Sequence, residues 1–293
     1  MAALLLMLSS CWRENIDNCW KGEVVLSVVA ERFQMPPNAS SEKDISSCID
    51  NMQYYLFDNS TGKLKSQGNV ENMPEQIDHY DLVFHTLPFG TYTLALTANS
   101  GSLQKDVDSW KNLSVSCPTD FGMNDCFVSL YSFTLDCECG YADFVKLYRI
   151  NGVVEVQLEK LPANILRAEV EVNNISETCL PDTVYQGNIS VKRSMEITSS
   201  DKGQDDVVTV DMKTFPTVKE STSNVLLRLY MDDGAKGEVL AYENMLADIQ
   251  ILRNQLTRVE VNFDYNISME PSVSITINPK WDGVHDDTNV DFD

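Results

Sequence analysis

Leu87-Pro88-Phe89-Gly90-Thr91-Tyr92-Thr93-Leu94-Ala95-Leu96 reads as a corner that runs into a strand. Proline and glycine supply the turn. From there Tyr92, Leu94 and Leu96 fall at every second position, the period of a pleated strand with one buried face. The stretch predicts a half-buried strand entered through a tight turn.

The same grammar extends in both directions. Upstream, residues 23–33 (EVVLSVVAERF) form a long candidate strand, apolar on both faces at its centre and broken by Pro36 and Pro37. Residues 49–58 (IDNMQYYLFD) follow, with Tyr54, Leu56 and Phe57 predicting packing on both sides before the turn residues Asn59-Ser60-Thr61-Gly62. Residues 81–87 make another short burst, and residues 126–136 read as a further strand. Within residues 145–158, Asn151-Gly152 is the strongest short hairpin signal, although the flanks also suit one long strand with a bulge. Leu161-Pro162 makes a second corner before the plain alternation of residues 168–172. Strands are expected at 189–197, 207–215, 225–232, 239–242, 256–265 and 273–277, with Val259, Val261, Phe263 and Tyr265 on one face. Helical spacing shows only at residues 243–252, which predict a helix or a connecting helical turn.

About fourteen short strands separated by turn residues predict an all-β chain of two tandem antiparallel β-sandwiches. The expected division is residues 1–10 as a signal remnant, 11–142 and 143–281 as the two sandwich domains, and 282–293 as an acidic tail.

Acids outnumber bases 44 to 22, a formal charge of −22. That excludes nucleic acid as a partner, because such binding neutralises phosphates with basic side chains. The apolar run at residues 2–8 is too short to span a bilayer, which takes about 20 residues, and no later stretch approaches that length. It is followed by Ser9, Ser10 and Cys11, an order that resembles a bacterial lipoprotein signal. The resemblance implies cleavage before Cys11 and acylation of its thiol and amine. A thiolate is the nucleophile such a transfer needs, and stable anchoring needs more than one acyl chain.

Eight cysteines stand at positions 11, 19, 48, 117, 126, 137, 139 and 179. In an exported protein they can pair, and Cys117 with Cys126 is the first expected disulfide, clasping one loop. The spacing lacks the paired knuckles of a structural zinc site, so no metal is expected.

Reactive motifs are missing as well. His79, His85 and His285 are scattered, and there is no nucleophile elbow, phosphate loop or metalloprotease helix. Asp205-Asp206, Asp232-Asp233 and Asp286-Asp287 are turn compositions before they are catalytic pairs. The reading is therefore non-enzymatic and without cofactor.

Several stretches together are similar to the fimbrillin-associated anchor family of Bacteroidetes fimbriae, relatives of type V pilus subunits. They are Cys11 followed by Cys19, the aromatic strand Tyr54-Tyr55-Leu56-Phe57-Asp58, the corner Leu87-Pro88-Phe89-Gly90-Thr91-Tyr92 and the run from Tyr148 to Val156. The Leu161-Pro162 corner and the terminal Ile277-Asn278-Pro279-Lys280-Trp281 complete the set. The resemblance implies tandem transthyretin-like sandwich domains held by lipid to the outer membrane. It implies partners among other fimbrial subunits, the major fimbrillin shaft included, joined by strand exchange in support of adhesion. A protease trims shaft subunits of that superfamily after arginine. The nearest candidate here, Arg32-Phe33, sits inside an apolar strand, which favours an uncleaved anchor or accessory subunit.

The strand expected to mate, through its edge or by displacement, carries Val24, Val25, Leu26, Val28, Val29 and Phe33. The alternative is a surface lipoprotein that binds glycans or nutrients beside an outer-membrane transporter. Such a protein would line a groove with Trp12, Trp20, Trp110 and Trp281.

Overall fold

The computed structural model describes residues 23–31, 45–75, 77–101, 103–105, 107–117, 125–136, 140–198, 207–234, 237–263 and 272–277. Among the described residues the chain is all-β, with two short 3-10 turns at Ile45–Ser47 and Trp110–Asn112.

The first strands in chain order are β1 (Val24–Ala30), β2 (Asn51–Asp58), β3 (Lys63–Glu71) and β4 (Tyr80–Phe84). After them come β5 (Gly90–Ala98), β6 (Val115–Ser116), β7 (Phe127–Leu135) and β8 (Tyr141–Arg149). Seven of these join in the order β3-β2-β5-β7-β8-β1-β4. The weak seam is β7–β8, paired only at Phe127↔Arg149 and Val128↔Tyr148. Past it the two strands part, and the Tyr131 and Tyr141 hydroxyls meet across the gap at 2.8 Å, both reaching Asp143. The ribbon thereby folds over on itself. Tyr54 of β2 meets Phe84 of β4 edge-on, with ring centroids 5.5 Å apart, although these strands lie toward opposite ends of the order. Val24, Leu26, Val28, Leu56, Leu94, Phe127 and Leu147 fill the space enclosed.

The deciding stretch forms β5, and Tyr92, Leu94 and Leu96 do line this core. Its other face is covered too: Thr93, Ala95 and Thr97 are buried, and Ala95 packs in a cluster with Val107, Leu113 and Trp110 of the next connection. The half-buried expectation therefore needs correction. Threonines look solvent-facing in sequence, but here Thr93 hydrogen-bonds Ser132 at 2.9 Å and Thr97 donates to Gln53 at 3.3 Å. Satisfied hydroxyls can be buried at little cost.

The remaining strands are β9 (Gly152–Glu159), β10 (Ile165–Ile175), β11 (Thr178–Cys179), β12 (Tyr185–Gln186) and β13 (Ile189–Glu196). They continue with β14 (Val207–Thr214), β15 (Ser223–Asp232), β16 (Glu238–Ile249), β17 (Leu256–Asn262) and β18 (Ser272–Ile277). Two four-stranded sheets, β13-β10-β15-β16 and β14-β9-β17-β18, enclose Val154, Val170, Val210, Leu227 and Val259 in one core. The same core takes in Val115, Cys117, Cys126 and Val128 from the first group of strands. A small sheet, β12-β11-β6, ties the two groups together.

Three expectations change. Residues 243–252 are not helical, since most of them lie in β16. Two register shifts opposite β15, between Val225 and Leu226 and between Leu229 and Tyr230, each slip the alternation by one residue. Bulges of this kind turn a period of two into spacings of three and four, which mimic a helix. Asn151-Gly152 does not close a hairpin, because β8 and β9 belong to different sheets. Finally, β8 runs through the expected boundary at 142 and stays with β1 as far as Leu147, so the second group of strands starts at Gly152.

Candidate functional site

The most enclosed strand near the start of the described chain is β1. It lies parallel to β8 and antiparallel to β4. Val24, Leu26 and Val28 point inward and are fully buried, while Val25 and Val29 are partly covered. On the outer face Ser27 donates to Asp81 at 2.6 Å. Because both flanks of β1 are taken, it has no free edge to offer, which corrects the edge form of the mating reading. Displacement of the strand is the form left. Phe33 and Arg32 lie outside the described residues, as do Cys11, Cys19, Cys137, Cys139 and the tail from residue 278 onward.

Where β1 ends, two carboxylates join the two groups of strands. The Glu31 N–H donates to the Leu147 carbonyl at 2.8 Å, prolonging the ladder to β8. Its carboxylate accepts from the Arg149 N–H at 3.0 Å and from Arg253 at 2.6 Å, and lies 3.6 Å from Lys146. Arg253 comes from the β16–β17 connection. It also donates to the Arg149 carbonyl at 3.2 Å and lies over the Tyr148 ring, 5.6 Å from its centroid. The second carboxylate, Asp125, pairs with the fully buried Arg149 side chain and with Lys213 of β14 at 2.9 Å, and accepts from the Asn151 side chain at 2.9 Å. The Arg149 guanidinium also packs on Phe127, 4.8 Å from the ring centroid. A cleft of about 350 Å³ opens beside this cluster, lined by Glu31, Tyr185, Pro216, Arg253 and Gln255 among others.

None of these charged residues was singled out from sequence. Glu31 and Arg253 are 222 positions apart, and nothing local marks a strand-end glutamate as the partner of a distant loop arginine. The one usable signal was Asn151, whose buried amide accepts from the Cys126 N–H at 2.9 Å.

Cys117 follows β6 and Cys126 precedes β7, both buried in one core, and Cys126 keeps a free thiol, so the expected Cys117–Cys126 disulfide is not formed. The Phe215 N–H donates to the Cys117 sulfur and the Cys126 thiol donates to the Asn99 carbonyl, each at 3.4 Å. Burial pushes the thiols up, Cys117 to about 11 and Cys126 and Cys179 to about 12. Among the described residues no group of three or more His, Cys, Asp or Glu could hold a metal ion. Of the four tryptophans expected to line a groove, only Trp110 is described, half-buried under Lys111.

Fold and site together define an all-β layered protein distinguished, among the described residues, by an inner strand pinned with ion pairs. The chain belongs to the family of fimbrillin-A associated anchor proteins Mfa1 and Mfa2, whose model matches residues 27–287. No curated protein matches it.

Among solved structures it is similar to a Bacteroides thetaiotaomicron VPI-5482 protein proposed to bind polysaccharide. That likeness has a TM-score of 0.59 at 14% identity, over 89% of this chain and 96% of the other. The fimbrial anchor protein Mfa2 from Porphyromonas gingivalis aligns with a TM-score of 0.53 at 11% identity, over 87% and 97% of the two chains. The tip fimbrial protein Mfa3 from the same organism, truncated at its C-terminus, gives 0.54 at 12% identity, over 88% and 99%. At these identities the likeness concerns the fold.

Proposed function

We propose that this protein is a fimbrial anchor or accessory subunit. In this reading acyl chains on Cys11 tether it to the outer membrane, and it supports adhesion by joining other subunits, the major fimbrillin shaft among them, through strand exchange. Its two groups of strands act as tandem transthyretin-like sandwich domains, divided near Ile150. The supporting observation is β1: three fully buried side chains, Val24, Leu26 and Val28, sit in a slot that only another alternating strand could refill. A sheet opened at that slot would offer unpaired backbone groups and side-chain pockets to such a strand.

The test is to lock β1 in place. Val25 and Val83 are paired across β1 and β4, a separation that suits a cross-strand disulfide. The Val25→Cys/Val83→Cys protein is expected to reach the surface and to join fimbriae only after reduction. Equal assembly when oxidised would remove strand displacement from the reading. Mass spectrometry of the mature amino terminus tests the lipid on Cys11 separately. Three of the four tryptophans of the glycan-binding alternative, Trp12, Trp20 and Trp281, lie outside the described residues.

A further inference from the structure

The slot that holds β1 is apolar along its length and ionic at its end. Its strand is rich in valine on both faces, at Val24, Val25, Val28 and Val29. An apolar match alone would tolerate a shift of two residues, which keeps the same face inward. Something that does not repeat must fix the register, and β1 has two such residues, Ser27, bonded to Asp81 on the outer face, and Glu31 at its end.

The receptor for its carboxylate is built without it. Arg253 is held by the Arg149 carbonyl and by the Tyr148 ring, and Lys146 lies over the same ring, 5.3 Å from its centroid. Charge points the same way. Lys146 and Arg253 share the Glu31 carboxylate, and Arg149 and Lys213 share that of Asp125, in a chain whose net charge is −22. When β1 leaves, Glu31 leaves with it, and Lys146 and Arg253 lose the carboxylate they share beside the cleft.

We infer that the partner segment able to replace β1 is an extended peptide with apolar side chains at three alternate positions and a carboxylate three residues beyond the last. These positions match Val24, Leu26, Val28 and Glu31, and Arg253 receives the carboxylate together with Lys146 and the Arg149 N–H. The inference rests on the reading that β1 can be displaced, and adds the chemistry of what displaces it.

The test uses the full chain and two biotinylated peptides, one with the sequence of residues 24–31 (VVLSVVAE) and one ending in Gln instead of Glu. After incubation, incorporation is read by streptavidin capture and intact mass. The Glu peptide is expected to enter at least about tenfold more than the Gln peptide, as for a charge pair shielded from water. In Arg253→Ala protein the preference should shrink, with Lys146 and the Arg149 N–H still in place, and Arg253→Lys should recover part of it. Equal entry into the unaltered protein, or an undiminished preference in Arg253→Ala, overturns the inference while displacement stands. Entry of neither peptide defeats displacement itself, and the inference with it.

Discussion

Gly152 lies so close to Leu252 that a Cβ on the glycine would stand 2.3 Å from the leucine carbonyl oxygen and 3.2 Å from that of Gln255. The segments are laced by backbone bonds on either side, Asn254 N–H to the Asn151 carbonyl at 2.8 Å and Val153 N–H to the Gln255 carbonyl at 2.9 Å. Both contacts are with backbone, which cannot step aside as a side-chain tip can. Gly152→Ala should therefore destabilise the protein by about 1–3 kcal/mol, the usual range for overpacking. Urea denaturation would read this, and an unchanged midpoint would mean that the corner can separate from the 252–255 loop.

The Asp125–Arg149 pair makes an asymmetric prediction. The Arg149 side chain is fully buried, and Asp125 also serves Lys213 and Asn151. Asp125→Ala removes the carboxylate paired with a buried guanidinium, a loss of about 3–5 kcal/mol for a broken buried pair. Arg149→Met leaves Asp125 with two donors and keeps the apolar stem against Phe127, so it should cost clearly less. Equal losses for the two variants in thermal melts would contradict this ranking.

Glu169 of β10 gives a dependence on pH. Burial pushes its carboxyl up, but hydrogen bonds from Lys192 at 2.7 Å and Arg228 at 2.9 Å outweigh that and hold it below the usual range. A carboxyl depressed in the folded state binds its proton more readily when unfolded. Its stabilisation is complete above the unfolded value of about 4.3 and is lost as pH falls through the lower folded value. Glu169→Gln should cost on the order of 2 kcal/mol at neutral pH, and the gap from the unaltered protein should close in acid. A gap that stays constant down to about pH 3, below the ordinary glutamate range, would show that the ion pairs contribute nothing.

What the sequence made legible was everything set by local alternation. Val207–Thr214 and Leu256–Asn262 alternate cleanly and appear nearly where periodicity put them. Lys63–Glu71 was not read as a strand, because a partly exposed edge strand carries little apolar signal. Val24–Ala30 was found as a strand, yet its place between β8 and β4 was not, because strand order is decided by contacts far apart in the chain. Ion pairs such as Glu31–Arg253 lie further still from any local rule. Their partners can be named only once the sheets have brought them together.

The buried cysteines offer a chemical check on the junction. In the presence of reductant, Cys126 and Cys179 are thiols pushed by burial to about 12 from a starting value of 9. At pH 8 that lowers the reactive thiolate fraction roughly a thousandfold, before any steric shielding. Iodoacetamide should leave both untouched in the native reduced protein and modify both on unfolding. Rapid native alkylation of Cys179 would mean that the seam between β6 and β11 opens. The first and second groups of strands would then part at their small shared sheet far more readily than the pairing of Cys179 with Val115 suggests.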